Sequence, residues 1–338
     1  MQIATSYSHT LVLKNGELYG CGKNTRGELG MDTEMPIFTK INEQFDGSKI
    51  KSIRCKKNYS LVLTNAGNVF CCGETVNWWS TTPSELNIWR FTQIPCLSNI
   101  DMIDVDNCNG SDFSIAVSDN KLHIWGKFSH LMDVSDDFKF PKVFTVGGRI
   151  LKTSCAMSYI MILTDCGLFE FGIRGRYLFK VFTRIDFDEY ALITDIKCSN
   201  MDTLLMMNNG NILQRCDDKF EPYGDVYLTN PQIFSSGMYC YILSEYNGKK
   251  NHLEKILLYA TTTIILQHAI QTIVIYNNWF DETIFYICGD EVYCEGENKV
   301  GNLGLGHTQE VGLSRHPILS EQDLLQFPSM NNVKKAIN

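Results

Sequence analysis

The stretch SHTLVLKNGELYGCGKNTRGELG, residues 8–30, decides the fold of this chain of 338 residues. Its first part is an apolar run that turns at Lys14-Asn15-Gly16 and returns as a second short strand. Two such runs joined through Asn-Gly give the strongest short-range signal for a β-hairpin. The second part spaces Gly22, Gly27 and Gly30 around one Lys and one Arg. The stretch therefore predicts a hairpin followed by a glycine-rich turn.

The glycine-rich turn recurs near the other end of the chain. CEGENKVGNLGL, Cys294–Leu305, aligns without a gap with GCGKNTRGELGM, Gly20–Met31. The second copy keeps three glycines, an Asn and a Leu, but it replaces Lys23 with Glu and Arg26 with Val. A phosphate-binding loop would keep its basic residues, and a P-loop needs Lys where this chain has Glu28. The two copies therefore favour a structural turn over a phosphate site.

The hairpin also recurs along the chain. The 274 residues between the closing glycines Gly22 and Gly296 divide into six intervals of about 46 residues. A period in the forties that is built from hairpins indicates a β-propeller or a β-solenoid. Apolar runs that precede the hairpins, such as Ile50–Cys55 and Ile193–Cys198, supply further strands, so each unit is predicted to be a four-stranded blade. The seven hairpins lie near residues 8–22, 58–73, 112–126, 158–172, 201–216, 238–260 and 282–296.

The glycines of these units are predicted to be structural. A tight turn between packed blades needs positive φ or close backbone approach, and glycine supplies both at low cost. The predicted turn glycines are Gly22, Gly27, Gly30, Gly73, Gly126, Gly172, Gly296, Gly301 and Gly304.

Composition and charge restrict the function. A net charge of -8 argues against a nucleic-acid binder, because such a protein presents a basic face. The thirteen cysteines include no Cys-x-x-Cys pair, so we predict no metal site and no cofactor. Cys55, Cys155 and Cys198 stand at equivalent positions of the repeat, which is typical of a packing residue used once per blade. No secretory signal opens the chain, and we predict an intracellular protein, cytoplasmic or nuclear.

One uncharged segment has the length of a membrane span. Ile256–Tyr276 carries no formal charge, but Gln267, His268 and Gln271 interrupt it, and it is rich in Thr and Ile. These β-branched residues favour strands over a helix. We therefore predict two buried strands joined by a turn and no membrane span.

SHTLVLKNGELYGCGKNTRGELG and GENKVGNLGLGHT resemble repeats of the regulator of chromosome condensation family. The resemblance implies an all-β, seven-bladed β-propeller that occupies residues 1–338 as a single domain. The chain departs from the family's Gly-Gln-Leu-Gly, which reads Gly-Glu-Leu-Gly at 27–30 and Gly-Asn-Leu-Gly at 301–304. The family's hairpin histidine is kept only as His9.

Closure of the ring is predicted from the two ends of the chain. The tail Asn332–Ile337 resembles the apolar lead Ile50–Ile53, whereas the first hairpin has only a short lead. We expect the C-terminal segment to pair with the N-terminal one and to complete the blade that it begins, since a closed ring protects its strand edges.

No catalytic motif is present. The chain has neither a Gly-x-Ser-x-Gly elbow nor His-Glu-x-x-His, and the acidic run Asp101–Asp112 lacks the spacing of a calcium loop. We therefore predict a protein–protein interaction scaffold rather than an enzyme, either alone or as a subunit of a larger assembly. The family resemblance implies an alternative, a guanine-nucleotide exchange factor for a Ran-like small GTPase. Either function makes a protein the partner.

Two groups of residues are candidates for partner binding. Trp78, Trp79 and Trp89 follow the second hairpin, and exposed tryptophans would be binding anchors. The alternative is that they cover the core between blades 2 and 3. Arg174 and Arg176 follow the fourth hairpin and would meet an acidic partner; the alternative is a solvated loop.

Overall fold

The computed structural model describes residues 1–42, 45–74, 87–105, 112–127, 138–157, 159–174, 177–216, 219–224, 228–257, 260–277, 281–316 and 319. These residues form seven antiparallel sheets, each of four consecutive strands. The sheets are the blades of a ring and are numbered 1 to 7 in chain order. The all-β, seven-bladed propeller predicted from the sequence is confirmed. That residues 1–338 form a single domain stays a prediction.

Each of the first four blades uses one continuous segment of chain. Their strands are β1 (Gln2–Thr5), β2 (His9–Lys14), β3 (Glu17–Gly22), β4 (Met35–Lys40), β5 (Ile50–Lys56), β6 (Tyr59–Thr64), β7 (Val69–Glu74), β8 (Asn87–Gln93), β9 (Met102–Val105), β10 (Asp112–Ser118), β11 (Lys121–Lys127), β12 (Phe138–Thr145), β13 (Ile150–Cys155), β14 (Tyr159–Thr164), β15 (Gly167–Arg174) and β16 (Tyr177–Ile185).

The last three blades follow the same plan, after a short 3-10 helix at Asp188–Leu192. Their strands are β17 (Ile193–Cys198), β18 (Thr203–Met207), β19 (Ile212–Cys216), β20 (Lys219–Pro222), β21 (Thr229–Ser236), β22 (Tyr239–Tyr246), β23 (Lys249–Leu257), β24 (Ala260–Ile265), β25 (Thr272–Asn277), β26 (Glu282–Cys288), β27 (Glu291–Gly296) and β28 (Val311–Arg315).

The second and third strands of each blade are the predicted hairpins. In blade 1 the turn uses Asn15 and Gly16, whose φ values are 55° and 81°. In blade 6 the polar stretch Ser244–Glu254 does not form the long projecting turn that its composition suggests. Both strands continue to a two-residue turn at Asn247 and Gly248, with φ values of 50° and 73°. An Asn-Gly pair adopts positive φ readily, so the tight turn is favoured over a long one.

The hydrophobic core is divided among the seven interfaces between blades. Leu11 of β2 and Val62 of β6 belong to the cluster between blades 1 and 2, and Phe285 of β26 and Val12 of β2 belong to the cluster between blades 7 and 1. Each of the other five interfaces has a cluster of its own. Burying one such side chain contributes about 1.5–3 kcal/mol, so each blade is stabilised mainly by its two neighbours.

The first strands line a central channel and close the ring. Each first strand lies beside the first strand of the next blade, and β25 of blade 7 lies beside β1 of blade 1. All four strands of blade 1 come from residues 2–40, and Gln2–Thr5 occupies the innermost position. The expectation that the C-terminal segment supplies a missing strand of this blade is therefore wrong, because the short lead before His9 is long enough for a four-residue strand. The segment 332–337 itself lies outside the described residues.

The ring is instead closed by contacts between complete blades. Ile37 of blade 1 forms an isolated antiparallel bridge with Leu305, which follows blade 7. Lys14 Nζ donates to Leu319 O at 3.0 Å, so the chain after β28 also contacts blade 1. The uncharged segment 256–276 contains the end of β23, all of β24 and most of β25. β24 is the outermost strand of blade 6, and β25 is the first strand of blade 7. Among the described residues, no helix has the length and apolar character needed to cross a membrane.

Candidate functional site

The glycine-rich turns at the two ends of the chain have the same internal structure. In blade 1, Asn24 Oδ1 accepts a hydrogen bond from Leu29 N at 2.8 Å, and Asn24 Nδ2 donates to Met31 O at 2.6 Å. In blade 7, Asn298 Oδ1 accepts from Leu303 N at 2.9 Å and Asn298 Nδ2 donates to His307 O at 2.8 Å, which matches a second bond in blade 1, from Asn24 Nδ2 to Thr33 O at 3.2 Å. The shared Asn therefore supplies the donor and acceptor that hold the loop together.

Each turn fits against the outermost strand of the next blade. A methyl group on Gly27 would lie 2.7 Å from the carbonyl oxygen of Ile88 in blade 2. A methyl group on Gly301 would lie 2.8 Å from Pro36 Cα in blade 1. Both distances are too short for any side chain, so the glycines permit the contact between blades. All nine predicted turn glycines have positive φ.

The next blade binds this turn through one hydroxyl and one thiol. Ser60 Oγ and Cys72 Sγ both donate to Glu28 O, at 2.7 and 3.3 Å. Between blades 7 and 1, Thr10 Oγ1 and Cys21 Sγ are the equivalent donors, at 2.6 and 3.4 Å. The cysteines before the closing glycines are therefore weak hydrogen-bond donors as well as buried side chains.

The first residue of the hairpin makes a second type of bond between blades. His9, Tyr59 and Tyr159 stand at this position, and each reaches a hydroxyl on the second strand of the next blade. The bonds join His9 Nε2 to Ser60 Oγ at 2.7 Å, Tyr59 OH to Ser114 Oγ at 2.7 Å, and Tyr159 OH to Thr203 Oγ1 at 2.6 Å. Tyrosine thus takes over the bond that histidine makes in blade 1.

Glu28 replaces the glutamine of the family pattern and is completely buried. Its Oε2 accepts a hydrogen bond from Arg26 N at 2.8 Å, and Oε1 has no hydrogen-bond partner among the described residues. Burial raises the pKa of this carboxyl group. The glycine-rich turn consequently carries a buried acid whose ionised form is disfavoured.

The two faces of the ring differ in their turns. One face carries the turns between the first and second strands, which surround one end of the channel; we call it the mouth face. The opposite face carries the tight hairpin turns, which consist mainly of small polar residues such as Asn15-Gly16 and Asp119-Asn120. The mouth face carries larger side chains, including Tyr7 of blade 1 and Lys57 of blade 2, and Tyr7 is 39% exposed.

Three methionines lie on the mouth face in blades 4 to 6. Asn200 Nδ2 lies 3.3 Å from Met238 Sδ and 3.9 Å from Met157 Sδ, and Met201 follows it with 41% of its surface exposed. Asn200 Oδ1 accepts a hydrogen bond from Met157 N at 3.0 Å, and Asn200 N donates to Gly237 O at 3.0 Å. We call Met157, Met201 and Met238 the methionine cluster; Met238 is buried, Met157 is half-buried and Met201 is the exposed member. Methionine adapts to varied apolar partners, and Asn200 holds the turns that carry it in place.

The channel beneath the mouth has a volume of about 450 Å³ and is lined by all seven first strands. Arg54 Nε and Asp104 Oδ1 form an ion pair at 3.0 Å between blades 2 and 3. Asp195 lies 4.0 Å from Lys152 Nζ and 3.2 Å from Lys197 Nζ. The sequence analysis did not identify these residues, although Arg54, Asp104 and Lys197 stand at the same position of the repeat.

Of the predicted candidate residues, the structure describes Trp89 and Arg174, which lie in different blades. Trp89 lies in β8, the outermost strand of blade 2, with 49% of its surface exposed. Arg174 is the last residue of β15. Trp78, Trp79 and Arg176 lie outside the described residues. A role of these five residues in partner binding stays a prediction.

Among the described residues, the buried ionisable groups do not assemble a reactive centre. Burial raises the pKa of the Cys55 thiol to about 12 and that of Cys198 to about 11, so these thiols are poor nucleophiles. All cysteines in the described ranges are free. Over the same ranges, no group of three His, Cys, Asp or Glu side chains is placed to hold a metal ion. The channel and its mouth, rather than a catalytic cluster, are the candidate site.

Comparison with known proteins agrees with the fold. The model of the regulator of chromosome condensation (RCC1) repeat matches residues 2–28. The RCC1-like G exchanging factor-like protein of Homo sapiens is 26% identical over 198 residues, which cover 52% of this chain and 41% of that protein. The match therefore spans less than half the length of this curated relative.

Solved structures show the same architecture. Human WBSCR16 is similar with a TM-score of 0.55 and 19% identity, covering 69% of this chain and 68% of that one. Prp20p of Saccharomyces cerevisiae, whose binding to Gsp1p and histones was studied with its structure, has a TM-score of 0.52 and 16% identity. The similar region covers 93% of this chain and 76% of the Prp20p chain. The chain therefore contains one matched regulator of chromosome condensation repeat, at residues 2–28, is similar in sequence to an RCC1-like protein over about half of its length, and shares the propeller fold of these solved structures.

Proposed function

We propose that this propeller is a protein–protein interaction scaffold and that it binds its partner through the mouth face. The observation that carries the proposal is the methionine cluster, in which Met201 is exposed beside turns that are held by the bonds of Asn200. The exposed Met201 side chain on a turn of a rigid ring offers an apolar contact to a protein ligand, and a preorganised site loses little conformational entropy on binding. An intracellular location, predicted from the sequence, belongs to the same proposal.

Affinity capture with mass spectrometry tests the scaffold. The tagged full-length protein is compared with Met201→Asp, which places a charge in the methionine cluster, and with the control Leu313→Asp. Leu313 is 44% exposed on β28, the outermost strand of blade 7. We expect Met201→Asp to lose partners that Leu313→Asp retains. If the two variants lose the same partners, the mouth face is not the binding surface. If the wild-type protein captures no stable protein partner, the scaffold function is refuted.

A second candidate function is nucleotide exchange on a small GTPase. The similarity to the human G exchanging factor-like protein favours it. An exchange factor acts by binding the nucleotide-free state of the GTPase more tightly than the nucleotide-bound state. Stopped-flow release of a fluorescent GDP analogue from a panel of small GTPases measures this activity directly. We expect faster release from one GTPase of the panel if the function is exchange; unchanged release from all of them would exclude it.

A further inference from the structure

The channel has two unlike walls. Blades 6, 7 and 1 contribute Phe234, Ile275 and Ala4 to one side, and none of the channel-lining residues of these three blades is charged. Blades 2 to 5 contribute five charged side chains to the other side: Arg54, Asp104, Lys152, Asp195 and Lys197. A ligand that fills the channel therefore meets apolar groups on one side and ions on the other.

The charged wall has more cations than carboxylates. Arg54 and Asp104 form a one-to-one pair at 3.0 Å. Lys152 and Lys197 instead share Asp195, at 4.0 and 3.2 Å. Each ammonium group carries one positive charge, and the single negative charge of Asp195 neutralises only one of the two. Lys152 is 48% exposed and Lys197 is 29% exposed, so both ammonium groups remain accessible from the channel.

We propose that the channel binds an extended protein segment in which aliphatic and acidic side chains alternate. Its carboxylates contact Lys152 and Lys197, and its aliphatic side chains pack against Phe234 and Ile275. Successive side chains of an extended strand point in opposite directions, which matches a channel with one charged and one apolar wall. The proposal rests on the proposed scaffold function for its claim that the ligand is a protein segment.

The mouth and the dimensions of the channel suit such a segment. Met201, which is 41% exposed on the mouth face of blade 5, offers an apolar contact to an aliphatic side chain of a segment that approaches this face. The channel volume of about 450 Å³ lies within the range of sites that enclose small ligands, so it can hold a few side chains of a segment at a time. A basic segment would face the excess positive charge of Lys152 and Lys197, so the charged wall selects an acidic one.

Titration calorimetry with three capped hexapeptides tests the inference on the full-length protein. The probe alternates Leu and Glu; one control alternates Leu and Lys, and the other alternates Ser and Glu. We expect saturable binding of the Leu-Glu peptide, and affinities at least about tenfold weaker for both controls. Because carboxylate–ammonium contacts are screened by ions, binding should weaken as salt is raised. Equal binding of the Ser-Glu peptide would overturn the role of the apolar wall, and no binding of the Leu-Glu peptide would overturn the inference.

Three variants locate the site. Asp195→Asn releases both lysines from their shared carboxylate and should tighten binding of the Leu-Glu peptide by about threefold to tenfold. The double variant Lys152→Met with Lys197→Met should weaken it by about tenfold or more. Lys249→Met, at the exposed start of β23, is the matched control and should leave the affinity unchanged. A gain of affinity in Asp195→Asn cannot come from misfolding, so an unchanged affinity in this variant places the peptide elsewhere and overturns the site.

The peptide titration and the capture experiment can fail separately, so the two proposals are tested separately. If partners are captured through the mouth face but the peptide does not bind, the scaffold stands and the channel ligand fails. If no partner is captured and the peptide still binds to the wild-type channel, the scaffold fails and the channel site stands as a peptide-binding site.

Discussion

Two buried histidines should make the ring sensitive to acid. His9 lies between blades 1 and 2, and its burial lowers its pKa to about 3. His316 lies between blades 7 and 1, where burial lowers its pKa to about 4. Its Nε2 donates to Leu303 O at 2.8 Å, and its Nδ1 accepts from Leu319 N at 3.1 Å. A second proton on His316 would remove this acceptor and place two donors face to face.

The magnitude follows from proton linkage. The unfolded histidines bind protons below about pH 6.5, while the folded ones stay neutral, so stability is complete above this pH and is lost as pH falls. Lowering the pH from about 7.5 to about 5.5 should cost about 1.4 kcal/mol for each histidine, or about 3 kcal/mol for the two. His123, whose pKa is lowered mainly by burial, acts in the same direction, whereas Glu28, whose pKa is raised by burial, opposes it because its contribution to stability is lost as pH rises. The lowered pKa values of Glu17 and Asp46 affect stability only below their ordinary values of 4.5 and 3.8.

Urea unfolding followed by tryptophan fluorescence at a series of pH values measures this dependence. We expect the free energy of unfolding to fall by about 3 kcal/mol over the stated range. His316→Gln should remove about half of the dependence, because glutamine can offer a donor and an acceptor without titrating. His307→Gln, on an exposed side chain, is the control. A pH dependence that is the same in wild type, His9→Gln and His316→Gln would refute the reasoning.

Three further predictions concern the interfaces between blades, each checked by urea unfolding. Tyr59→Phe removes the bond to Ser114 and should cost about 1 kcal/mol, whereas Tyr246→Phe, on an exposed ring, should be neutral. Gly27 and Gly16 have similar φ values of 87° and 81°, but only Gly27 lies against the backbone of a neighbouring blade. Gly27→Ala should therefore lower the free energy of unfolding more than Gly16→Ala does. Equal decreases in the two variants would contradict the argument from close approach. Because burial raises the carboxyl pKa of Glu28, the wild-type protein loses stability as pH rises and this group ionises. Glutamine does not ionise, so Glu28→Gln should be more stable than the wild type by about 1 kcal/mol near neutral pH. This gain should shrink as pH falls toward 4.5, and a gain that is independent of pH would disprove the linkage.

The local structure of the propeller could be predicted well from the sequence. Hairpins and glycine turns are determined by neighbouring residues, so Asn15-Gly16 and the spacing of Gly22, Gly27 and Gly30 suffice to predict them. The hairpin at Asn247-Gly248 has the same Asn-Gly pair, but the polar and charged residues on either side of this pair suggested a long loop instead of two strands. The number of strands in blade 1 was underestimated, because Gln2–Thr5 is too short to form a clear pattern.

The candidate site was much harder to predict. Arg54 and Asp104 are 50 residues apart, and their contact depends on how neighbouring first strands are aligned around the channel. Their common position, at which each pairs with the equivalent residue of the second strand (Leu61 for Arg54 and Ile115 for Asp104), was available as a signal. The methionine cluster depends in addition on Asn200, whose bonds to Met157 and Gly237 cross two interfaces and leave no local pattern.

Within the part of the chain that the structure describes, the first and last blades of the ring exchange no strand. Each blade is a continuous segment, so the chain itself links the two blades at six of the seven interfaces. The interface between blades 7 and 1 has no such link. It depends on non-covalent contacts, among them the Ile37–Leu305 bridge, the turn of Asn298 and the contacts of His316. A pulling force applied at Gln2 and Leu319 would load this interface directly, before any hairpin is stretched. The molecule should therefore yield first by opening into an arc of seven intact blades, and the same seam is where a circularly permuted chain would have to be rejoined.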